Sequence, residues 1–341
     1  MVSSQKRSLR RQVGSTVLLA SMVLAQPALV EADESKKLAS QVTSPSSEET
    51  TDTPGPMTFG SSMDVSWVLV PVVVRGKSGY STGLKAKDFE LLVEGSIIRQ
   101  PSFETGRDAP VSTVFLQDLS GSIGNAKKLE TSQRIFDCFL SRARPGDQFS
   151  IATFSGGRVQ VQVPPTSDLE LLRDARSAWE PWGTTALHDA VAWLPDLATG
   201  IDYAKRVAIL VTDGVDNASL LPAEQARSLV RQAELPVYVL GLDTGSPFIA
   251  NPDGSKLYYL SDMLNLLAHF TGASYRSISG ELEGRLACSA ILEDVRHQYV
   301  LSFPVRTGGE RRFREIEVRV KGRKRVATYR KGYLGGAPIS Y

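Results

Sequence analysis

The chain has 341 residues, of which 42% are hydrophobic and 22% charged, a composition typical of a globular protein with one large domain or two moderate ones. Its formal net charge of +2 gives no indication of nucleic-acid binding. The two cysteines, Cys138 and Cys288, are too few for a disulfide-built scaffold, and their spacing is not that of a zinc site.

Residues 1–25 predict a signal peptide. A basic stretch, KRSLRRQ, precedes the apolar stretch VGSTVLLASMVLA, which is too short to span a bilayer comfortably. Small residues permit cleavage after Ala25 or after Ala32, and the adjacent Arg10 and Arg11 are compatible with a twin-arginine route. An uncleaved membrane anchor is the alternative interpretation. We expect an exported protein, periplasmic or secreted, with no transmembrane segment once the signal is removed.

Residues 26–62 are rich in Ser, Thr, Glu and Pro with hardly any large apolar residue, and they predict a disordered linker. In residues 63–107 the segments VLVPVVVR, FELLVEG and IIRQPSF predict short strands. Residues 299–335 contain three more, in QYVLSFPV, FREIEVRVKG and RVATYRKGYL. Because neither set makes a stable sheet alone, the two are predicted to pair as one small β module.

Between these flanks, residues 110–298 alternate buried apolar strands with helices. TVFLQD, VAILVTDG and PVYVLGL are near-continuous apolar strands, and each is followed by a segment with helical spacing. Apolar strands of this kind belong to parallel sheets that helices cover on both faces. The predicted fold class is therefore α/β, a doubly wound, mostly parallel sheet with the small β module at its flank.

Small oxygen-bearing side chains follow several of these strands. They are Asp118, Ser120 and Ser122 after the first core strand, Asp213 after another, and Thr184 and Thr185 in a Gly-led loop. Ligands bind beyond the carboxyl ends of the strands in open α/β sheets. A set of two carboxylates and several hydroxyls suits Mg²⁺ or Mn²⁺ better than Zn²⁺. Taken singly, each motif also fits a helix cap or a turn.

The segments DLSGS, GTTALHDA and VTDG together resemble the von Willebrand factor A-type domain with its metal-ion-dependent adhesion site. The resemblance implies a Mg²⁺ or Mn²⁺ ion with five ligands, Asp118, Ser120, Ser122, Thr185 and Asp213. Thr184 stands where the family has a second glycine, which leaves Thr184 open as an alternative to Thr185. The flanking strands resemble those of an exported bacterial subgroup of this family that is common in acidobacteria.

The resemblance also bears on the cysteines. The helices that contain Cys138 and Cys288 are neighbours in this family, so a disulfide between them is geometrically conceivable, and export permits it. Two buried free thiols, acting as small hydrophobic side chains, are the alternative.

The function that the resemblance implies is metal-dependent protein binding, in adhesion or assembly, with a partner's Asp or Glu carboxylate completing the metal shell. An enzyme is not expected: no Gly-x-Ser-x-Gly elbow is present, and His188 is interpreted as a packing or surface residue. The alternatives are a structural envelope protein with a vestigial metal site and a metal-assisted hydrolase.

Overall fold

The computed structural model describes residues 65–197, 203, 205–230, 235–244, 260–307, 310, 312–322 and 324–339. Every described residue belongs to one compact unit, Phe59–Tyr341. The predicted signal peptide at residues 1–25 and linker at residues 26–62 lie outside the described residues. No helix in the described part is long and apolar enough to cross a membrane.

The described residues form strands at both ends of the chain and alternating strands and helices between them. The strands are β1 (Val65–Gly76), β2 (Gly79–Tyr80), β3 (Phe89–Val93), β4 (Ser96–Ile97), β5 (Ser102–Thr105), β6 (Val111–Asp118), β7 (Gln148–Ser155), β8 (Arg158–Thr166), β9 (Lys205–Thr212), β10 (Val237–Leu242), β11 (Tyr275–Ile278), β12 (Tyr299–Arg306), β13 (Arg312–Val320), β14 (Val326–Tyr329) and β15 (Gly332–Gly335). The helices are α1 (Ala126–Leu140), α2 (Leu169–Ser177), α3 (Leu187–Ala192), α4 (Leu194–Leu197), α5 (Ala223–Val230), α6 (Leu260–Thr271) and α7 (Glu281–Arg296).

The central sheet has the strand order β11-β10-β9-β6-β7-β8, and only the edge strand β8 is antiparallel to its neighbour. Every residue of β6 is buried, because β6 lies between two other strands and the sheet is covered on both faces. Phe115 packs with Phe136 and Phe139 of α1 on one face, while Leu116 packs with Leu187 and Leu264 on the other. The predicted doubly wound, mostly parallel sheet is confirmed.

The terminal strands pair with each other in two antiparallel sheets. β1 pairs with β12, placing Val70 opposite Leu301, and β3 pairs with β13, placing Leu91 opposite Val318. One sheet has the order β14-β1-β12-β5, with β2 added to β1, and the other has the order β15-β13-β3-β4. Apolar side chains of both sheets form one core, in which Phe303 meets Tyr333. The predicted β module of N- and C-terminal strands is confirmed.

The segment RVATYRKGYL differs from its prediction as one strand. It forms two strands, β14 in the first sheet and β15 in the second. The chain passes between the sheets at Arg330, whose Nε donates to the carbonyl of Gly332 at 2.9 Å. A side chain at Gly332 would collide with the ring of Phe313, so the close approach requires glycine.

A disulfide joins Cys138 of α1 to Cys288 of α7, with 6.4 Å between the Cα atoms. Both helices pack on the same face of the central sheet, where Ile135, Ala287 and Ile291 belong to one apolar cluster. The bridge closes a loop of 150 residues, so it restricts the unfolded chain strongly.

Replacing both cysteines by alanine is expected to lower the free energy of unfolding by about 2–4 kcal/mol, because the unfolded chain regains the freedom that the bridge removes. Urea unfolding without reductant measures this difference. A reductant should destabilise the wild type and leave the double variant unchanged. Two alkylatable thiols in the unreduced wild type, with a reductant-independent midpoint, would contradict the bridge.

Candidate metal centre

Asp118 ends β6 as a buried carboxylate at the carboxyl edge of the central sheet. Its Oδ1 accepts a hydrogen bond from the backbone N–H of Ser120 at 2.8 Å, and its Oδ2 accepts one from the hydroxyl of Thr212 at 2.6 Å. Burial raises the pKa of Asp118 to about 6, with a further contribution from the nearby charge of Asp213. Among the described residues, no cationic side chain pairs with Asp118.

Two serines follow this carboxylate in the chain. The Oγ atoms of Ser120 and Ser122 lie 3.1 Å apart, and Ser120 is buried whereas Ser122 is exposed. A short 3₁₀ turn at Gly121–Gly124 follows Ser120 and directs the chain into α1. The buried hydroxyl of Ser120 is therefore in contact with the hydroxyl of an exposed residue, Ser122.

The Gly-led loop lies directly against this turn. The N–H of Gly121 donates to the carbonyl of Gly183 at 2.9 Å, and the N–H of Trp182 donates to the carbonyl of Leu119 at 2.8 Å. Gly183 has φ +69°, and a Cβ atom there would lie 3.2 Å from Cα of Gly156, so this close approach favours glycine.

Of the two threonines in the loop, Thr185 is buried and Thr184 is exposed. The backbone N–H of Thr185 donates to Oδ1 of Asn217 at 2.8 Å, and its carbonyl accepts from the N–H of Asn217 at 3.0 Å. These contacts hold Thr185 against the loop after β9. The choice of Thr185 over Thr184 as a metal ligand stays a prediction.

Asp213 follows β9 and is also buried. Its Oδ2 lies 2.9 Å from Nζ of Lys128, and its Oδ1 has only a long contact of 3.5 Å with the N–H of Val215. The loops after β6 and β9 and the Gly-led loop thus meet at one edge of the sheet, as the parallel strands predict.

The donor set fits a hard divalent cation. The described residues contain no group of three or more His, Cys, Asp or Glu side chains placed to hold a metal, so an ion here would also need hydroxyl oxygens. Mg²⁺ and Mn²⁺ accept such oxygens and retain waters, and the unpaired buried carboxylate of Asp118 provides the charge that a cation would neutralise. The residues that would hold the ion are Asp118, Ser120, Ser122, Thr185 and Asp213.

Three residues at this edge of the sheet were not predicted as part of the site: Thr212, Asn217 and Lys128. Thr212 could have been recognised, because it directly precedes Asp213 at the end of β9. No sequence motif indicates Asn217 or Lys128, because their contacts depend on how the loop after β9 and helix α1 pack. His188 lies nearby, and its Nδ1 is 3.1 Å from the carbonyl oxygen of Leu221, which agrees with its interpretation as a packing residue.

Residues 113–215 match the family model of the von Willebrand factor type A domain, and the match contains all five predicted ligands. No curated protein matches the chain.

Solved structures with similar folds include the following three. An aerotolerance-related membrane protein from Bacteroides fragilis is 20% identical over 54% of this chain and 98% of that chain, with a TM-score of 0.42. The von Willebrand factor domain of a type V pilus tip protein from Porphyromonas gingivalis is 12% identical over 54% and 94%, with a TM-score of 0.43. A von Willebrand factor type A protein from Catenulispora acidiphila is 13% identical over 79% and 73%, with a TM-score of 0.46.

Proposed function

We propose that the von Willebrand factor A-type domain of this chain binds a protein partner through a divalent cation, Mg²⁺ or Mn²⁺. The observation that carries the proposal is the buried carboxylate of Asp118, which has hydrogen-bond donors but no cationic partner in the described part of the chain. A buried charge without a counter-charge is costly, and a bound cation removes that cost.

The chemistry of the ligands explains why the bound ion would attract a partner. Ser120, Ser122 and Thr185 supply neutral hydroxyl oxygens, so the ion keeps much of its charge. Because Ser122 is exposed, one side of the ion would face solvent. An Asp or Glu carboxylate of a partner can displace a water there and complete the octahedral shell that Mg²⁺ requires.

Exposed apolar side chains border this edge of the sheet. The side chains of Trp182, Val215 and Leu220 are 57%, 42% and 92% exposed, and all three lie in the loops that contain Thr185 or Asp213. A cleft of about 290 Å³ beside Trp182 is lined in part by Arg158 and Glu180. Aromatic side chains such as that of Trp182 are enriched at protein-binding surfaces.

The proposal also covers where the protein acts and whether it catalyses a reaction. The predicted signal peptide favours export to the periplasm or beyond, and a disulfide between Cys138 and Cys288 is compatible with an oxidising compartment. The hydroxyls of Ser120 and Ser122 face each other, and neither is paired with a histidine that could activate it as a nucleophile. The domain acts as an adhesion or assembly module rather than an enzyme.

Affinity capture tests the proposal. The immobilised protein is incubated with envelope and culture extracts in Mg²⁺ or in EDTA, beside the Asp118→Ala variant and a matched Asp108→Ala control whose exposed carboxylate precedes β6. We expect the wild type and the control to capture the same proteins in Mg²⁺ and to lose them in EDTA, while the Asp118 variant captures none in either buffer. An unchanged set of captured proteins in EDTA would contradict the proposal.

A further inference from the structure

Lys128 brings a positive charge to the edge of the sheet where the metal would bind. Its Nζ lies 2.9 Å from Oδ2 of Asp213, and the two side chains are 19% and 2% exposed. The ammonium group is therefore largely removed from water and held against one of the two carboxylates of the site. Asp118, the other carboxylate, has no such partner among the described residues.

The position of Lys128 in its helix is unfavourable for a cation. Helix α1 begins after the N-cap residue Asn125, and Lys128 lies in its first turn. That first turn contains no acidic residue. Unpaired N–H groups give the amino end of a helix a partial positive charge, so a lysine there is repelled. The contact with Asp213 offsets this repulsion, and so it is the interaction that accounts for the side chain's placement.

The contact between Lys128 and Asp213 changes the net charge of the candidate metal site. The carboxylates of Asp118 and Asp213 alone would neutralise a divalent cation. With the ammonium of Lys128 beside them, the three side chains total −1, so a bound Mg²⁺ leaves the site with one net positive charge. That excess weakens metal binding, and one carboxylate from a partner removes it.

We propose that Lys128 is a resident cation of the site, which neutralises Asp213 when no metal is bound and keeps the affinity for a divalent cation low until a carboxylate joins it. This inference rests on the proposed metal-dependent function. It adds that metal occupancy and partner binding favour each other, because the partner's negative charge compensates for the lysine.

Calorimetric titration of Mn²⁺ into the folded protein tests the inference, with Lys128→Met compared to Lys127→Met. Lys127 is the adjacent residue, is exposed, and loses the same charge on substitution, so it controls for long-range electrostatics. Lys128→Met is expected to bind Mn²⁺ about tenfold more tightly than the wild type, the scale of outer-shell effects on metal sites. Lys127→Met and the charge-conserving Lys128→Arg are expected to stay within about twofold of the wild type.

Thermal unfolding without metal gives a second readout that does not depend on metal binding. Lys128→Met should unfold at a lower temperature than Lys127→Met, because the substitution leaves the buried Asp213 without a counter-charge. Added Mn²⁺ should stabilise the Lys128→Met variant more than it stabilises the wild type. If the wild type binds Mn²⁺ and Lys128→Met binds it no more tightly, the inference is wrong while the metal site stands. If neither protein binds Mn²⁺, the proposed function fails, and this inference fails with it.

Discussion

Replacing Asp118 by asparagine is expected to abolish divalent-cation binding while the protein stays folded. The amide has the shape of the carboxylate but not its charge, and it leaves an acceptor for the N–H of Ser120. Without metal, the variant should be at least as stable as the wild type, because the buried charge of Asp118 has no cationic partner in the described part of the chain.

Unfolding experiments with and without Mg²⁺ measure both effects. At a free Mg²⁺ concentration about 100 times the dissociation constant, the wild type should gain about 2.7 kcal/mol in free energy of unfolding, and the variant should gain nothing. Asp108→Asn, which removes an exposed carboxylate in the loop before β6, should gain as much as the wild type. Equal Mg²⁺ stabilisation of the Asp118 variant and the wild type would mean that any metal binds elsewhere.

Replacing Arg296 by methionine is expected to lower the free energy of unfolding by about 3–5 kcal/mol, more than the loss of the disulfide. The guanidinium of Arg296 forms a bidentate ion pair with Asp147, and both side chains are buried. The same carboxylate accepts hydrogen bonds from the backbone N–H groups of Val111 and Arg144. Methionine keeps the apolar stem but leaves Asp147 charged and unpaired in the interior.

This ion pair lies at the amino ends of β6 and β7, whereas the candidate metal centre lies at the opposite, carboxyl ends of the strands. The variant should therefore unfold at a lower denaturant concentration without a change in metal affinity. Arg319→Met is the matched control, because Arg319 pairs with Glu317 at the exposed surface, where an ion pair contributes little to stability. Equal losses for the two variants would show that the buried pair contributes no more than a surface pair.

The fold, and the proximity of the strand ends that contain the candidate ligands, could be predicted from sequence patterns for a physical reason. Buried parallel strands are near-continuous apolar runs, and their carboxyl ends share one edge, so side chains far apart in sequence, such as Asp118 and Asp213, could be placed together. Pairing of the terminal strands could be predicted because neither set is stable alone. The family match at residues 113–215 confirms the resemblance to von Willebrand factor A-type domains.

Other features could not be predicted because they depend on three-dimensional packing. The contact of Lys128 with Asp213 is set by the orientation of α1 on the sheet, and a lysine in a first helical turn has no motif that indicates it. The segment RVATYRKGYL divides into β14 and β15 because the chain passes from one sheet to the other within it. The period-two sequence pattern of this segment does not mark the point where the chain crosses. The subgroup assignment and the cleavage site stay predictions.

Anomalous X-ray scattering from crystals grown with Mn²⁺ can locate a bound ion without reference to activity or partner. We expect one strong peak at the carboxyl edge of the central sheet, within coordination distance of the hydroxyls of Ser120, Ser122 and Thr185, and no such peak in crystals of the Asp118→Asn variant. A wild-type crystal at saturating Mn²⁺ with no peak at this edge, or with the same peak in the variant, would contradict the proposed metal site.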